Sequence, residues 1–441
     1  MTSSGKLSSP QKIVFSLGQI GYNVPGFFLP LYIFTFYAPS VGTKIVPYYL
    51  VGLAVGLGTI VQGIANPLIG HWSDRATYRT GRRRFFIITG TIPLSILFFL
   101  IWVPVSTSYF QAALLLIYSV GFNFFFAYVV LPYLSLIPEL ASTTMDRVKL
   151  TTIMGYFAII GIVLANIIPL LTLETFGYGL AGLIISVIML TVFLIVFFTT
   201  EEVNDPKKRP ASLSLTDSIR ETFRNRTFNR YILSYLFFQF GFYALTASIG
   251  YIIEDLVMPG NSSYKTWISL ATLFAVAFAV LFSPLLYWYT AKKGEKKSFI
   301  LFTFILAVSI MLVPVIGFLP IADRIPAMLV IMVFTGMGLS SYFILPNAII
   351  SEIIDEDEEK TGFRREAMYF GIQGILERIP SGISLVFVGL WMQYLYGPTG
   401  NQVYIMLMAL IGGLSVLVTS ISFRIVPLKE HRKKAQDDVS S

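Results

Sequence analysis

Two adjacent ionisable residues, Glu377 and Arg378, lie in the middle of a long apolar stretch of the sequence. An ionisable side chain at the centre of a bilayer is costly unless it faces a partner or water, so its position indicates a functional site. A guanidinium at this depth could bind an anionic or polyhydroxyl ligand, and a carboxyl group could exchange a proton. The alternative is structural: Arg378 could snorkel, or pair with Glu377 and only hold helices together.

Uncharged polar residues recur four positions apart in several other apolar stretches. Residues at i and i+4 project from one face of a helix, which suits the lining of an aqueous cavity. Their amide and phenol groups suit the recognition of hydroxyl groups, although any single one could instead make an interhelical hydrogen bond. The predicted binding residues are Gln19, Asn23, Gln62, Asn66, Asn123, Tyr128, Gln239, Tyr243, Asn347, Gln373, Glu377 and Arg378.

Enzymatic and metal chemistry find no support in the sequence. The chain contains no cysteine, which excludes thiol catalysis, disulfides and cysteine-ligated metals, and two histidines cannot build a metal site alone. The apolar stretches also hold no nucleophile paired with a base. We therefore expect no enzyme activity, no metal site and no cofactor.

Twelve apolar stretches are each long enough, at about twenty residues, to cross a bilayer as a helix. The composition agrees, since 55% of residues are apolar and 13% are charged, whereas soluble domains are about a quarter charged. We predict an all-α integral membrane protein that interacts with the lipid bilayer. The predicted spans are 12–38, 46–73, 84–104, 110–137, 149–172, 176–200, 228–255, 264–291, 297–319, 325–351, 366–396 and 402–425.

Lysine and arginine are concentrated in alternate connections between these spans. If both termini are cytoplasmic, the only such residues outside cytoplasmic segments are Lys44, Lys265, Arg324 and the mid-span Arg378. Basic residues beside spans stay in the cytoplasm, so we predict both termini there. The net charge of +8 then reflects topology and not a nucleic-acid partner. No signal peptide is evident, and we expect a monomeric, multi-pass protein of a bacterial or archaeal plasma membrane.

Two short segments recur in the second half of the chain at nearly the same offset. The segment from Tyr128 to Pro132 is repeated from Tyr342 to Pro346, and the basic segment at 81–84 is repeated at 294–297. Such repetition predicts two related six-helix bundles. The predicted parts are a bundle at 1–200, a cytoplasmic linker at 201–227, a bundle at 228–425 and a tail at 426–441. Within the linker, residues 213–224 could form an interfacial helix or a solvated tether.

Spans 3, 6, 9 and 12 differ from the others in their polar content. Their interiors contain no Asn, Gln, Asp, Glu, Lys, Arg or His. A helix without such residues can face lipid all round, so we expect these four spans to be the scaffold. The remaining spans would then line the site.

The connection at 70–84 (GHWSDRATYRTGRRR) resembles the loop between helices 2 and 3 of major facilitator superfamily transporters, which carries an Asp-Arg pair and trailing basic residues. The resemblance implies twelve helices in two pseudo-symmetric bundles. It also implies a gating role, in which charge-assisted hydrogen bonds to the other half form in one conformation only. The predicted gating residues are Gly70, Asp74, Arg75, Arg82, Arg83 and Arg84.

Two further segments resemble one group within that superfamily. Residues 131–139 (LPYLSLIPE) are similar to the P-Y-x-S-L-I-P segment of glycoside–pentoside–hexuronide:cation symporters, the group of melibiose permease. Residues 352–367 (EIIDEDEEKTGFRREA) are similar to that group's acidic loop between spans 10 and 11, which ends in T-G-x-R-R-E. The resemblance implies secondary transport of a sugar or glycoside by alternating access.

The chain departs from that group where the coupling cation binds. The group has acidic residues at positions that match Gln62, Asn66, Val130 and Asn23 here. Sodium prefers anionic oxygen ligands, so we expect weak or absent sodium coupling, and a facilitated carrier or exchanger before a sodium symporter. Glu377 is the only acid that the sequence places deep in a span, which leaves proton coupling open.

Two alternatives to a sugar carrier remain at this point. A eukaryotic branch that resembles the same group handles lysolipids, and a wide apolar cavity beside Arg378, with the run Phe124 to Phe126, would indicate such an amphipathic anion. A receptor built on a transporter fold is the second alternative. Measuring net solute flux in proteoliposomes would separate a transporter from a receptor.

Overall fold

The computed structural model describes residues 9–428, except 77, 79, 142–143, 201–221 and 363–365. In this part of the chain all regular structure is helical. The helices are α1 (Ser9–Ser16), α2 (Gly18–Tyr37), α3 (Tyr48–Arg75), α4 (Arg84–Ile101), α5 (Tyr109–Ser135), α6 (Ile137–Leu140), α7 (Thr144–Thr172), α8 (Gly177–Thr199), α9 (Arg226–Tyr251), α10 (Tyr264–Leu281), α11 (Ser283–Lys293), α12 (Glu295–Met311), α13 (Ile321–Thr361), α14 (Glu366–Trp391) and α15 (Gln402–Ser422). Short π-helical segments continue α9 over Ile252–Val257 and α14 over Met392–Tyr396, and 3-10 turns follow α12 over Val313–Phe318 and α15 over Phe423–Ile425.

Eleven helices in the described ranges are long and apolar enough to cross a membrane. They correspond to the second to twelfth predicted spans. The first predicted span is formed by α1 and α2, and α2 carries the polar residues Gln19 and Asn23 and two prolines within the helix. With 20 residues, α2 still covers about 30 Å at about 1.5 Å per residue, the thickness of a hydrocarbon core. The predicted all-α membrane fold is confirmed.

Two spans differ in detail from the prediction. The predicted span 264–291 is divided at Phe282 into α10 and α11, because Pro284 cannot donate the backbone hydrogen bond of a continuous helix. The predicted span 325–351 is part of the longer helix α13, which continues through the acidic segment to Thr361. The acidic segment is therefore helical over most of its length and ends at Gly362, whose φ of 74° is a left-handed helix cap.

The scaffold spans do not face lipid all round. In α4, which is span 3, Leu94 and Phe98 are fully buried, whereas Ile92 and Ile96 are half exposed. The buried face packs on α5, since a Cβ atom on Gly90 would lie 2.6 Å from the ring of Tyr128. The absence of polar residues therefore indicates a helix with one lipid face and one apolar packing face.

The two predicted repeats have related local geometry. Gly81 and Gly294, which correspond in the sequence repeat, both have positive φ, 105° and 83°. Gly294 lies directly before α12, and Gly81 lies three residues before the start of α4 at Arg84. Pro132 and Pro346 also correspond, and both lie inside long helices, α5 and α13.

The described residues pack into two compact units. The first contains the residues up to 200 with 243–273 and 378–405, and the second contains 222–242, 274–377 and 406–428. The first unit thus includes the C-terminal parts of α9 and α14 as well as the first six spans. The predicted boundary between two bundles, at 201–227, falls mostly outside the described residues and stays a prediction.

In the first unit, α3 and α14 approach each other at backbone contact. A Cβ atom on Gly56 would lie 2.6 Å from the carbonyl oxygen of Gly382, and one on Gly52 would lie 2.9 Å from the Cα atom of Gly389. Only glycine permits this approach, because any side chain would overlap the opposite backbone. We call these four residues the glycine seam.

In the second unit, α9 packs between α13 and α15. The rings of Phe238 and Tyr342 stack at 5.1 Å between centroids. Ser415 Oγ donates a hydrogen bond of 2.8 Å to the carbonyl oxygen of Phe237. A Cβ atom on Gly241 would lie 2.6 Å from the carbonyl oxygen of Gly412. These contacts fix the face of α9 that carries its polar side chains.

Candidate functional site

Polar residues of α14 and α9 form a connected group in the second unit. Gln373 Nε2 donates a hydrogen bond of 2.6 Å to Glu377 Oε1, one helical turn away. The hydroxyl group of Tyr235, on α9, lies within hydrogen-bonding reach of the same carboxylate. The two helices are held together nearby, where Asn225 Nδ2 donates a hydrogen bond of 2.9 Å to the hydroxyl oxygen of Tyr369. Glu377 therefore faces α9.

Two amide oxygens in this group are buried and unused. Gln239 lies one turn beyond Tyr235 on α9 and is 3% exposed, and Gln373 is 5% exposed. The Oε1 atoms of both glutamines have no hydrogen-bond partner within the described part of the chain. A buried acceptor without a donor costs about 1–3 kcal/mol, so this place favours a ligand that donates hydrogen bonds. We call Tyr235, Gln239, Gln373 and Glu377 the amide–acid cluster.

Arg378 has its own partner in the first unit. Its Nη1 atom donates a hydrogen bond of 3.3 Å to the hydroxyl oxygen of Tyr243 on α9. Both residues were predicted as binding residues. A guanidinium carries five N–H donors, so it can make several hydrogen bonds at once.

The predicted residues on α2 and α3 differ in their surroundings. Asn23 Nδ2 donates to the backbone oxygen of Gln19 at 2.8 Å and to its Oε1 at 3.2 Å, so this pair is satisfied locally. The side chains of Gln62 and Asn66 make no hydrogen bond to any residue described. Gln62 is nevertheless buried. These two positions, which match the cation-site acids of the resembled group, therefore present free amide groups.

Three other predicted residues lie in different surroundings. Asn123 Nδ2 donates a hydrogen bond of 2.9 Å to the carbonyl oxygen of Ser119 and packs beside Gly58, between α3 and α5. Tyr128 packs against α4, with its ring 4.7 Å from that of Phe86. Asn347 is exposed on α13. The described contacts of Asn123 and Tyr128 are packing contacts, and their part in binding stays a prediction.

The arginines of the predicted gate anchor the connection between α3 and α4. Arg83 donates a hydrogen bond to the carbonyl oxygen of Ser135 at the end of α5. Arg84 Nη2 donates one of 2.8 Å to the carbonyl oxygen of Phe197 on α8. Arg84 also lies over the ring of Phe197 at 4.6 Å. These contacts lie within the first six spans.

The other predicted gating residues give fewer contacts. Gly70 faces α5, where a Cβ atom would lie 3.3 Å from Leu131. Arg82 is partly buried. Asp74 and Arg75 end α3, but their side chains lie outside the described residues. The predicted link to the other half therefore stays a prediction.

Sequence reasoning missed two acidic residues. Besides Glu377, whose position deep in a span stays a prediction, Glu254 in the π-helical end of α9 is 5% exposed. Asp255 follows it and is partly buried. Both lie at the end of the predicted span 228–255. The signal that could have found them is the continuing apolar run, Leu256 to Met258, after the pair.

Long apolar helices that carry amide, phenol, carboxylate and guanidinium groups are typical of a membrane transporter. The chain belongs to the MFS/sugar transport protein family, whose model matches residues 14–430. It is therefore a multi-pass membrane protein that carries out secondary solute transport, and it is not an enzyme. The resemblance stated from the sequence is confirmed.

Similar proteins of known name agree with this family. The chain is 25% identical to an uncharacterized symporter, YnaJ, of Bacillus subtilis over 90% of this chain and 85% of the relative. It is 23% identical to the isoprimeverose transporter of Lactiplantibacillus pentosus over 86% of this chain and 79% of that relative. The fold is similar to the crystal structure of a D-xylose–proton symporter, with a TM-score of 0.68, 17% identity and coverage of 95% and 97%.

Proposed function

We propose that the protein carries a sugar or glycoside by alternating access, without sodium coupling. The amide–acid cluster, Arg378 and Tyr243 bind the solute. Both termini lie in the cytoplasm of a bacterium or archaeon, and the monomer is the working unit. The concentration of lysine and arginine in alternate connections supports this orientation.

The two amide oxygens without a hydrogen-bond partner are the main reason for proposing a sugar or glycoside as the solute. Gln239 Oε1, Gln373 Oε1 and the carboxylate of Glu377 are all acceptors, and each hydroxyl group of a sugar can donate to one of them. A phosphate-bearing amphiphile offers mainly acceptors and would leave both amide oxygens unsatisfied. Phe124, which would favour such a ligand, packs in the cluster around Phe86. The observations therefore favour a polyhydroxyl solute.

The names of relatives support the same class. One relative is an isoprimeverose transporter, and a protein of the same fold is a D-xylose–proton symporter. The word symporter, used also for the Bacillus subtilis relative, supports coupling to a cation. Because Gln62 and Asn66 offer no carboxylate, a proton fits this chain better than sodium.

The glycine seam supports the alternating-access part of the proposal. It joins α3 of the first predicted half to α14 of the second, near the start of α3 and the end of α14. With cytoplasmic termini, that end of both helices is extracellular. The described state is then closed to the outside, and the gate at 70–84 would act at the opposite end.

The test is solute counterflow in proteoliposomes with a panel of pentoses, glycosides, nucleosides and lysolipids. We expect saturable counterflow of one or more sugars or glycosides. Gln239→Leu and Gln373→Leu should each weaken the apparent affinity about threefold to tenfold, since each removes one hydrogen bond to the solute. Gln11→Leu, the same replacement at an exposed position, is the control and should behave as the unchanged protein.

Two results would overturn this proposal. Counterflow of lysolipids or nucleosides with none of any sugar would show another solute class. Unchanged apparent affinity in both glutamine variants would remove the amide–acid cluster from the site.

A further inference from the structure

A pair of acidic residues at the end of α9 lies apart from the amide–acid cluster. Glu254 and Asp255 belong to the π-helical segment Ile252–Val257, a geometry that is rare and often found at functional sites. Glu254 Oε2 and Asp255 Oδ2 are buried, and neither has a hydrogen-bond partner in the ranges that the structure covers. Burying two adjacent negative charges without full compensation is strongly unfavourable.

The groups around the pair supply only part of that compensation. The backbone N–H groups of Ser40 and Val41 lie near Glu254, and the Ser40 hydroxyl group lies near both acids. The hydroxyl groups of Tyr264 and Tyr396 lie within hydrogen-bonding reach of Glu254 and Asp255, respectively. One cation, Lys265, interacts with Glu254, and its Nζ atom also lies 5.6 Å from the ring centroid of Tyr178. The titratable and charged groups that face the pair are Tyr48 of α3, Tyr178 of α8, Tyr251 of α9, Tyr264 and Lys265 of α10, and Tyr396 after α14.

A second lysine, Lys44, contacts Tyr48, which itself faces the acid pair. Lys44 Nζ is 4.2 Å from the ring centroid of Tyr48, in the connection between α2 and α3. Burial lowers the pKa of Lys44, which reduces its hold on a proton. The described contact of Lys44 is with the ring of Tyr48 and not with either carboxylate.

The π-helical segment that carries the pair is hydrogen-bonded to the end of α2 and the start of α15, and these contacts close that end of the first unit. Tyr251 donates a hydrogen bond of 2.7 Å from its hydroxyl group to the carbonyl oxygen of Ala38, at the end of α2. Gln402 Nε2, at the start of α15, donates one of 2.7 Å to the backbone oxygen of Asp255. Opening this end would have to move α9 away from both partners and would bring water to the acid pair.

We propose that Glu254 and Asp255 together bind one proton while this end of the first unit is closed and release it when the end opens. Loss of the proton leaves two buried negative charges beside a single lysine, and hydration of the opened end relieves their repulsion. Proton binding by the pair does not depend on the proposed function. The further step, that this proton is the coupling ion, rests on it. It assigns the coupling site to the closed end of the transporter, away from the solute site.

The test uses labelling of introduced cysteines, because the chain has none of its own. Ala38→Cys places a thiol at a fully buried position beside the acid-pair segment, and Val41→Cys places one at a position that is 71% exposed. The ratio of their labelling rates with a membrane-impermeant maleimide cancels the pH dependence of thiol reactivity. We expect this ratio to rise about tenfold or more between about pH 5 and about pH 8, as the pair loses its proton.

Neutral isosteres identify the group that titrates. Glu254→Gln with Asp255→Asn should make the ratio low and independent of pH, and each single variant should reduce the pH response. Glu174→Gln is the control, since Glu174 is an exposed acid that accepts a hydrogen bond from Thr266 on α10, and it should keep the full response. Size-exclusion profiles show which variants are folded.

A ratio that does not vary with pH in the unsubstituted background would overturn the inference. So would a full pH response in the folded double variant. Because labelling requires no solute, this result is independent of the counterflow assay. Failure of either proposal is therefore recognised separately.

Discussion

Arg378 contacts a residue that lies far from it in the chain, and this contact gives a direct test of its role. Its hydrogen bond to the hydroxyl group of Tyr243 holds the guanidinium from one side. Arg378→Lys keeps the charge but loses the planar set of donors, so we expect a protein that inserts and folds but binds solute at least about tenfold more weakly. Tyr243→Phe should cost about 1 kcal/mol of binding free energy, or about fivefold in affinity.

The measurement is solute binding to purified protein, with thermal unfolding as a check on the fold. Arg324→Lys is the matched control, because Arg324 donates hydrogen bonds to the backbone oxygens of Leu319 and Gly317 and lies outside the proposed site. Loss of expression with normal binding in the surviving Arg378→Lys protein would assign Arg378 a structural role.

Residue types of the site could be predicted from the sequence, but their partners could not. Gln373 and Glu377 share a helix, so the four-residue spacing was enough to bring them together. Tyr243 meets Arg378 from another helix, and only the packing of α9 on α14 decides that contact. Glu254 was missed because the π-helical continuation of α9 buries residues that a count of apolar positions places at the edge.

Replacing a residue of the glycine seam should disturb the packing of α3 against α14. Gly56→Ala would put a methyl group 2.6 Å from the carbonyl oxygen of Gly382, so the helices must separate. We expect the closed end to lose about 1–3 kcal/mol and the Ala38→Cys label to react faster at every pH. The measurement is the labelling ratio together with the thermal unfolding temperature.

Gly26→Ala is the matched control for the seam. A Cβ atom on Gly26 would meet nothing within 4 Å, and this residue lies inside α2. The replacement should leave labelling unchanged and could raise stability by up to about 1 kcal/mol, since alanine is the better helix former. If both variants behave alike, the close approach of α3 and α14 is not what holds this end shut.

Positions of the helices followed from hydropathy, whereas their ends depended on other interactions. Apolar stretches locate the membrane part of α13, but the helix continues to Thr361. Acidic and basic residues sustain it there, including the pair Lys360 and Glu356 at 2.5 Å. A hydropathy pattern contains no information about such contacts or about the left-handed conformation of Gly362 that ends the helix.

Energy coupling is a property of the whole molecule, and the missing carboxylates at the family's cation site predict its form. Gln62 and Asn66 supply neutral oxygens, which do not offset the cost of dehydrating sodium. Solute accumulation in proteoliposomes should therefore not respond to an imposed sodium gradient at constant pH, whereas an inward proton gradient should increase it. Replacing external sodium with potassium is the control for membrane potential and ionic strength. Sodium-driven accumulation above equilibrium would contradict this reasoning.

The length of α13 has a mechanical consequence. Its 41 residues extend about 60 Å, about twice the thickness of the hydrocarbon core, so its acidic end projects into water. A tilt of about 10° around the opposite end would sweep that tip through about 10 Å, by the geometry of a rod of this length. A small rotation of α13 inside the bilayer therefore produces a much larger displacement of the turns that project into water. A fluorophore fixed near Thr361 would make that rotation visible as a change in distance to the membrane surface.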